Sequence, residues 1–285
     1  MTLGELNSEV VRTLVGALGA GEGKAAARIV MEDCAGFTPV KVLLNPGLEL
    51  EPETPVRVRR VLARVVEGYP VQYAVGSTVW MGMKLEVTPD TLIPRPETAG
   101  LVDMIKDDMG NRPDLRVLDA GTGSGCIAIA LSRALPFSEV TAVDISDGAL
   151  AVARRNAAAL HAAVTFVRGD ILKMPLPSAP LYDLIVSNPP YIAEGAADTV
   201  DKSVDAYEPA SALYVPDSDP LMFYRAIGQY GLAALKSGGR LYFEINPDYA
   251  TGLSELLHAQ GYTDVEVLRD FYGRERYARA ILYRP

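Results

Sequence analysis

The chain has 285 residues, 49% of them hydrophobic and 22% charged, a length comfortable for two domains and a composition that excludes disorder. Its 27 basic against 36 acidic side chains give a net charge of -9. That balance argues against a protein that gains affinity by holding nucleic-acid phosphates, although it says nothing of a local basic groove. Two cysteines, Cys34 and Cys126, exclude a disulfide framework and a clustered zinc site, and His161 and His258 stand apart from any metal-ligand or triad companion. Glu5 and Glu9 interrupt the apolar N-terminus, and no apolar run is long enough to span a bilayer. A cytoplasmic location is expected.

In chain order, Leu3, Leu6, Val10, Leu14 and Val15 recur at helical spacing, and Gly19 and Gly21 mark a stop. A second helix is expected from about Gly23 to Cys34, ended by Gly36 and Pro39. A short apolar stretch, Val40 to Leu44, leads into the turn Asn45-Pro46-Gly47, and a further helix fits Pro55 to Glu67. This region holds no cluster of catalytic residue types, so residues 1–71 read as a helical recognition domain. Between residues 72 and 92 the β-prone Val79, Trp80, Leu85 and Val87, punctuated by Gly76, Gly82 and Pro89, predict a hairpin linker.

Residues 93–285 form the third segment. From Arg116 onward, short apolar strands alternate with helices: strands at Val117-Leu118, Val140–Val143, Val164–Val167, Leu181–Ser187 and Arg240–Ile245, with helices at Cys126–Ala134, Gly148–Ala159, Leu221–Leu235 and Tyr249–Gln260. Two last strands are expected near Asp264–Arg269 and Ala278–Tyr283. Repeated strand-helix units predict an α/β fold with a largely parallel sheet covered on both faces.

Asp119-Ala120-Gly121-Thr122-Gly123-Ser124-Gly125 joins the first of these strands to its helix. Glycines let the backbone take positive φ and let a ligand approach the main chain closely. The Gly-x-Gly-x-Gly spacing differs from the Gly-x-Gly-x-x-Gly of nicotinamide and flavin binders. Asp144 ends the next strand, where a carboxylate can accept hydrogen bonds from ribose hydroxyls. Asp170 follows the third strand, placed for an adenine amino group, with Ile171 giving an apolar face beside the ring. All of these are expected at the carboxyl edge of the sheet and together imply an adenosine-containing cofactor.

The fourth strand runs into Asn188-Pro189-Pro190-Tyr191. Both prolines fix their own φ, and Pro190 holds Pro189 extended, which stiffens the array of carbonyl oxygens. A planar amide or aromatic amine is a poor nucleophile because its lone pair is delocalised. The Asn188 side-chain oxygen and the Pro189 carbonyl can bind the two N–H groups of such a nitrogen, and Tyr191 can stack on its planar face. Alignment and fixed acceptors would then supply the rate without a general base.

The loop followed by Asn188-Pro189-Pro190-Tyr191 resembles the class I methyltransferases that modify conjugated amino nitrogens. Within that group the chain is similar to the HemK-type release-factor glutamine N5-methyltransferases. Pro70-Val71-Gln72-Tyr73 with Gly76 resembles that family's linker, and Leu92-Ile93-Pro94-Arg95-Pro96-Glu97-Thr98 its entry to the catalytic domain. Tyr207-Glu208-Pro209 with Ala212-Leu213, and Gly273-Arg274 with Arg276, resemble two later segments. Departures are Ala120, where leucine is frequent, and Ala99, where glutamate is common.

The resemblance implies a Rossmann-like mixed sheet flanked by helices, preceded by a small helical domain and a β-hairpin linker. It implies S-adenosyl-L-methionine as methyl donor, leaving S-adenosyl-L-homocysteine. Gly121, Thr122, Gly123, Ser124, Gly125, Asp144 and Asn188 would line the donor site; Asn188, Pro189, Pro190 and Tyr191 would hold the substrate amide. The expected substrate is the glutamine of the Gly-Gly-Gln motif in a peptide-chain release factor, and a monomer is expected. Arg95 and Glu97 read either as an ion pair fixing the linker or as groups near the donor. Competing readings are methylation of a ribosomal-protein glutamine, methylation of an amino group in DNA or RNA, and a catalytically silent adaptor.

Overall fold

The computed structural model describes residues 1–284 and divides into two compact units. The first unit comprises Met1–Thr78 with Asp201–Tyr207. Its first helix, α1 (Leu3–Leu18), starts on a reciprocal cap: the Glu5 backbone N–H donates to the Thr2 hydroxyl at 3.3 Å, and Glu5 Oε2 accepts from the Thr2 backbone N–H at 2.8 Å. Leu3, Leu6, Val10 and Leu14 form its buried face. It is followed by α2 (Ala20–Ile29), which runs into a wider π turn over Val30–Cys34. A Cβ added at Gly23 would lie 2.5 Å from the Leu14 carbonyl oxygen, so the close approach of α2 to α1 requires glycine.

The expected apolar stretch Val40–Leu44 is a helix, α3 (Pro39–Leu44): Pro39 suits the first helical position, and Thr38 Oγ1 accepts from the Lys41 N–H at 3.3 Å. Next come α4 (Glu53–Val66), whose Val58, Val61, Leu62 and Val65 are buried, and α5 (Val71–Val75). The hairpin is therefore shorter than residues 72–92. Tyr73 is buried on α5, Gly76 caps that turn in the left-handed region (φ +82°), and only β1 (Ser77–Trp80) and β2 (Met83–Glu86) pair.

The second unit comprises Val79–Val200 with the described residues from Glu208 onward. Its first helix, α6 (Pro96–Met109), lies in a stretch the sequence reading leaves unassigned. Pro96 at its first position and Glu97 in its first turn are ordinary start signals, and Leu101, Val102, Ile105 and Met109 form its buried stripe. There follow β3 (Arg116–Ala120), α7 (Cys126–Ala134), β4 (Glu139–Asp144), α8 (Asp147–Ala159), β5 (Val164–Arg168) and β6 (Tyr182–Ser187). After the short β7 (Ile192–Ala193), α9 (Lys202–Tyr207) belongs to the first unit, where Tyr207 meets the Tyr69 ring edge-on at 4.8 Å. The second unit resumes with α10 (Ala210–Leu213), β8 (Tyr214–Val215), α11 (Met222–Ala234), β9 (Leu235–Glu244), α12 (Ala250–Gln260), β10 (Thr263–Arg269) and β11 (Glu275–Leu282).

Seven strands form one sheet in the order β10-β11-β9-β6-β3-β4-β5. The five from β9 to β5 are parallel, and β11 and β10 add antiparallel at one edge. The sheet is therefore mixed. Two apolar clusters fill its two faces: α6 and α7 contribute Leu101, Ile105, Ile127 and Leu131 to one, and α11 and α12 contribute Tyr224, Ile227, Leu253 and Leu257 to the other. Successive strands β3, β4 and β5 step outward in one direction, whereas β6 returns to the other side of β3. That reversal opens a crevice at the carboxyl ends of β3 and β6, where open α/β sheets bind ligands.

Candidate active site

A cleft of about 350 Å³ lies at this reversal, walled by the second unit alone. Along the sheet edge it meets Asn188 after β6, the glycine loop after β3, Asp144 at the end of β4, and Asp170 with Ile171 after β5. Gly121, Thr122, Gly123, Ser124, Pro189 and Pro190 also line it. Residues dispersed over seventy positions are thus brought together by adjacent parallel strands. Gly125 and Tyr191 are not among the lining residues. Gly125 sits behind the loop at φ +82°, where an added Cβ would press on Ala153 at 3.1 Å.

Most of the loop's N–H groups are already committed. Gly121 and Thr122 both donate to the Val143 carbonyl, at 2.9 and 3.0 Å, and Gly123 donates to Asp144 Oδ2 at 2.8 Å. Gly121 (φ +79°) and Gly123 (φ +54°) have open space where a Cβ would stand. This loop clears room for a ligand; it does not point a row of donors at a phosphate, as nucleotide-binding glycine loops do. Asp144 Oδ1 accepts from the Ser146 N–H at 2.9 Å. Since a carboxylate offers about four lone-pair sites, Asp144 keeps capacity for two hydroxyl donors. Asp170 Oδ1 accepts from the Leu172 N–H at 3.0 Å, and its other oxygen lies 3.4 Å from Lys173 Nζ.

The cleft's charge is set by Asp90, Asp144 and Asp170 against Arg95. The guanidinium of Arg95 is held by Glu208 Oε1 at 2.6 Å, while Glu208 Oε2 accepts from the Ile93 N–H at 3.0 Å. The ion pair fixing this segment is Arg95–Glu208, in place of the Arg95–Glu97 pair suggested by proximity in sequence. Glu97 instead offers its backbone carbonyl to the Tyr277 hydroxyl, at 2.7 Å. Among the described residues the site is therefore acidic, with Arg95 neutralised by Glu208.

Beneath the loop, Asp119 is fully buried and accepts from the Thr122 hydroxyl at 2.6 Å and the Ala128 N–H at 3.2 Å. Burial pushes its carboxyl up to about 7 against those two bonds. Burial also pushes the Cys126 thiol up to about 12, which leaves it inert as a nucleophile. Buried Asn156, on α8, ties the loop to the hairpin. Its Nδ2 donates to the carbonyls of Ser124 (2.9 Å) and Glu86 (3.0 Å), and its Oδ1 accepts from the Glu86 N–H at 2.7 Å.

Asn188 Nδ2 donates to Thr98 Oγ1 at 3.2 Å, and the Thr98 hydroxyl donates to Glu244 Oε2 at 2.7 Å. The Tyr191 hydroxyl reaches the other oxygen of Glu244, at 3.3 Å. Burial raises the Tyr191 phenol well above its ordinary range. Asn156 and Glu244 escape the sequence reading; their only local signal is a polar residue within an otherwise apolar pattern. His161 and His258 lie outside the cleft wall. No helix among the described residues is long and apolar enough to cross a membrane.

The sheet order, the switch-point cleft and the loop at its mouth define the class I methyltransferase fold. The family model described as a methyltransferase domain matches residues 117–205, and the one described as the PrmC N-terminal domain matches residues 10–76. A release factor glutamine methyltransferase of Bacteroides thetaiotaomicron is 41% identical over 90% of this chain and 91% of its own. One from Flavobacterium psychrophilum is 36% identical over 97% and 98%. A methyltransferase from Pyrococcus furiosus, solved by crystallography, shares the fold at 20% identity and a TM-score of 0.52, covering 77% of this chain and 95% of its own. The chain belongs to the release factor glutamine methyltransferase family.

Proposed function

We propose that the chain transfers a methyl group from S-adenosyl-L-methionine to the side-chain amide nitrogen of the glutamine in a release factor's Gly-Gly-Gln motif. The observation that carries this reading is the state of Asn188. Its NH2 is committed to Thr98, which leaves Oδ1 without a partner among the described residues, on a side chain lining the cleft.

The residues fit the donor. A loop whose N–H groups are mostly satisfied internally suits a nucleoside without phosphates, and three lining carboxylates favour a cationic ligand over an anionic one. Gly121 to Ser124 would border the donor, with Gly125 supporting the loop from behind; Asp144 would accept from its ribose hydroxyls, and Asp170 and Ile171 would meet its adenine. When bound, S-adenosyl-L-methionine supplies an electrophilic methyl group on a positively charged sulfur.

The chain's own residues then address the weakness of an amide as a nucleophile. Asn188 Oδ1 and the Pro189 carbonyl would each accept one N–H of the glutamine amide, turning its lone pair toward the methyl carbon. Fixed acceptors also stabilise positive charge developing on that nitrogen; as the N–C bond forms, the methyl–sulfur pair returns to sulfur to leave S-adenosyl-L-homocysteine, and the alkylated nitrogen, now acidic, loses one proton to water. Tyr191 is tied to Glu244 and lies outside the cleft wall as described. Stacking on the amide would use its ring while the hydroxyl stays anchored. The helical N-terminal segment would recognise the protein partner, and the enzyme would act as a cytoplasmic monomer.

Purified release factors incubated with the chain and methyl-labelled S-adenosyl-L-methionine, then mapped by mass spectrometry, test the proposal. Label on the Gly-Gly-Gln glutamine is the expected result. Label confined to a ribosomal protein or to nucleic acid would replace it.

A further inference from the structure

The Asn188 carboxamide could face the cleft with either its oxygen or its NH2, and only the oxygen can accept an N–H. We propose that Thr98 and Glu244 are positioning residues that select the oxygen-outward orientation of Asn188. This inference rests on the role given to Asn188 above.

The argument is a count of protons. A threonine hydroxyl has one proton and two lone pairs. Thr98 is buried, and its proton is directed to Glu244 Oε2 at 2.7 Å. It therefore has only lone pairs to offer Asn188, so Asn188 must present its NH2 at 3.2 Å and turn Oδ1 the other way. Glu244, 1% exposed, enforces this polarity because an ionised carboxylate accepts only. Both of its oxygens are used, one by Thr98 and one by the Tyr191 hydroxyl. Replace the carboxylate by a carboxamide and one oxygen becomes an NH2 donor. If that donor faces Thr98, the Thr98 proton is released toward Asn188, and the Asn188 amide is free to reverse.

Protonating Glu244 would have the same effect, since its O–H would compete as a donor. Burial raises the Glu244 carboxyl, opposed by the Thr98 hydrogen bond and the Arg276 guanidinium. The charged and titratable groups around it are Glu97 on α6, Cys126 on α7, Tyr191 after β6, Tyr224 on α11, and Arg276 and Tyr277 on β11. Methyl transfer is therefore expected to fall as pH drops through the raised Glu244 pKa.

The test uses the full chain with Thr98→Val, Thr98→Ser and Glu244→Gln. Removing one oriented acceptor costs about 10²–10³ in rate, and partial misorientation is expected to cost Thr98→Val about 30–100-fold in single-turnover methyl transfer. Thr98→Ser should return to within about 3-fold of wild type because its hydroxyl makes both bonds. Calorimetric titration with S-adenosyl-L-homocysteine should show affinity changed less than about 3-fold in all three variants, because the lost bond lies on the substrate side. In the ligand-free chain, solvent exchange of the Asn188 side-chain NH2, followed by NMR, should rise about 10-fold in Thr98→Val, the loss of roughly one hydrogen bond. The acid limb of the rate should be present in wild type and absent in Glu244→Gln.

Wild-type turnover and wild-type amide exchange in Thr98→Val would overturn the proposal. So would a loss that Thr98→Ser does not restore, which marks a packing role, or an acid limb retained in Glu244→Gln. If Thr98→Val does not fold, Glu244→Gln and Thr98→Ser carry the same comparison. A wild-type chain that methylates no release factor defeats the substrate reading instead, and amide exchange then decides the orientation question alone.

Discussion

The backbone N–H of Gly123 donates to Asp144 Oδ2 at 2.8 Å, so the glycine loop after β3 and the carboxylate ending β4 form one unit. A ligand bound by Asp144 meets a loop that the same side chain holds in place. Changes at either position are therefore coupled, and their effects will not add.

Asp144→Ala removes the proposed ribose acceptor and releases the Gly123 and Ser146 N–H groups together. Hydrogen bonds to a charged group contribute about 1.5–3 kcal/mol each, so S-adenosyl-L-methionine affinity should drop at least about tenfold. Isothermal titration calorimetry measures this directly. Unchanged affinity would remove the ribose assignment.

Asn188→Ala deletes the proposed amide acceptor and leaves the loop, Asp144 and Asp170 in place. The expected outcome is donor affinity within about 3-fold of wild type and methyl transfer slowed by about 10²–10³-fold, the usual cost of losing one oriented acceptor. A labelled-methyl assay alongside a binding titration separates the two. Equal loss in both would mean that Asn188 serves the donor.

Asn156→Ala should destabilise the chain by about 2–4 kcal/mol, since it strands the Glu86 N–H and removes the donor to one buried and one part-buried carbonyl. The urea midpoint should fall with little change in slope. Donor affinity should weaken as well, because the Ser124 carbonyl loses its anchor. A midpoint equal to wild type would show that water replaces the clamp.

Asp119 gives stability a distinctive pH dependence. Its folded pKa, about 7, lies well above the ordinary aspartate range, because the interior disfavours the charged form. Its contribution is fully present below the unfolded pKa and is lost as pH rises from about 4 through about 7. Asp119→Asn cannot ionise, so the difference in melting temperature between pH 5 and pH 8 should shrink in the variant. Scanning calorimetry at the two pH values provides the check, and an unchanged difference would assign the effect to another group.

Local chemistry alone determined much of this protein. Glycines that tolerate positive φ marked the loop, Pro189 and Pro190 marked a stiff strand exit, and alternating apolar strands and helices marked an α/β sheet whose carboxyl edge would carry the site. These signals span a few residues and act through backbone torsion or periodicity, so they survive translation into sequence. The stretch from 93 to 115 was readable only as a motif, although Pro96 and Glu97 do announce α6.

Tertiary structure decided which polar side chains meet. Thr98 and Glu244 are 146 positions apart and touch because α6 packs beside the carboxyl end of β9. Arg95 meets Glu208, 113 positions away, and passes over its near neighbour Glu97. A buried hydrogen bond depends on sub-ångström placement by elements distant in the chain, and no spacing or period encodes it. The proposed amide acceptor, Asn188, was thus legible in its own tetrapeptide, whereas its hydrogen bonds run to Thr98 and on to Glu244, two residues that only the fold brings to it.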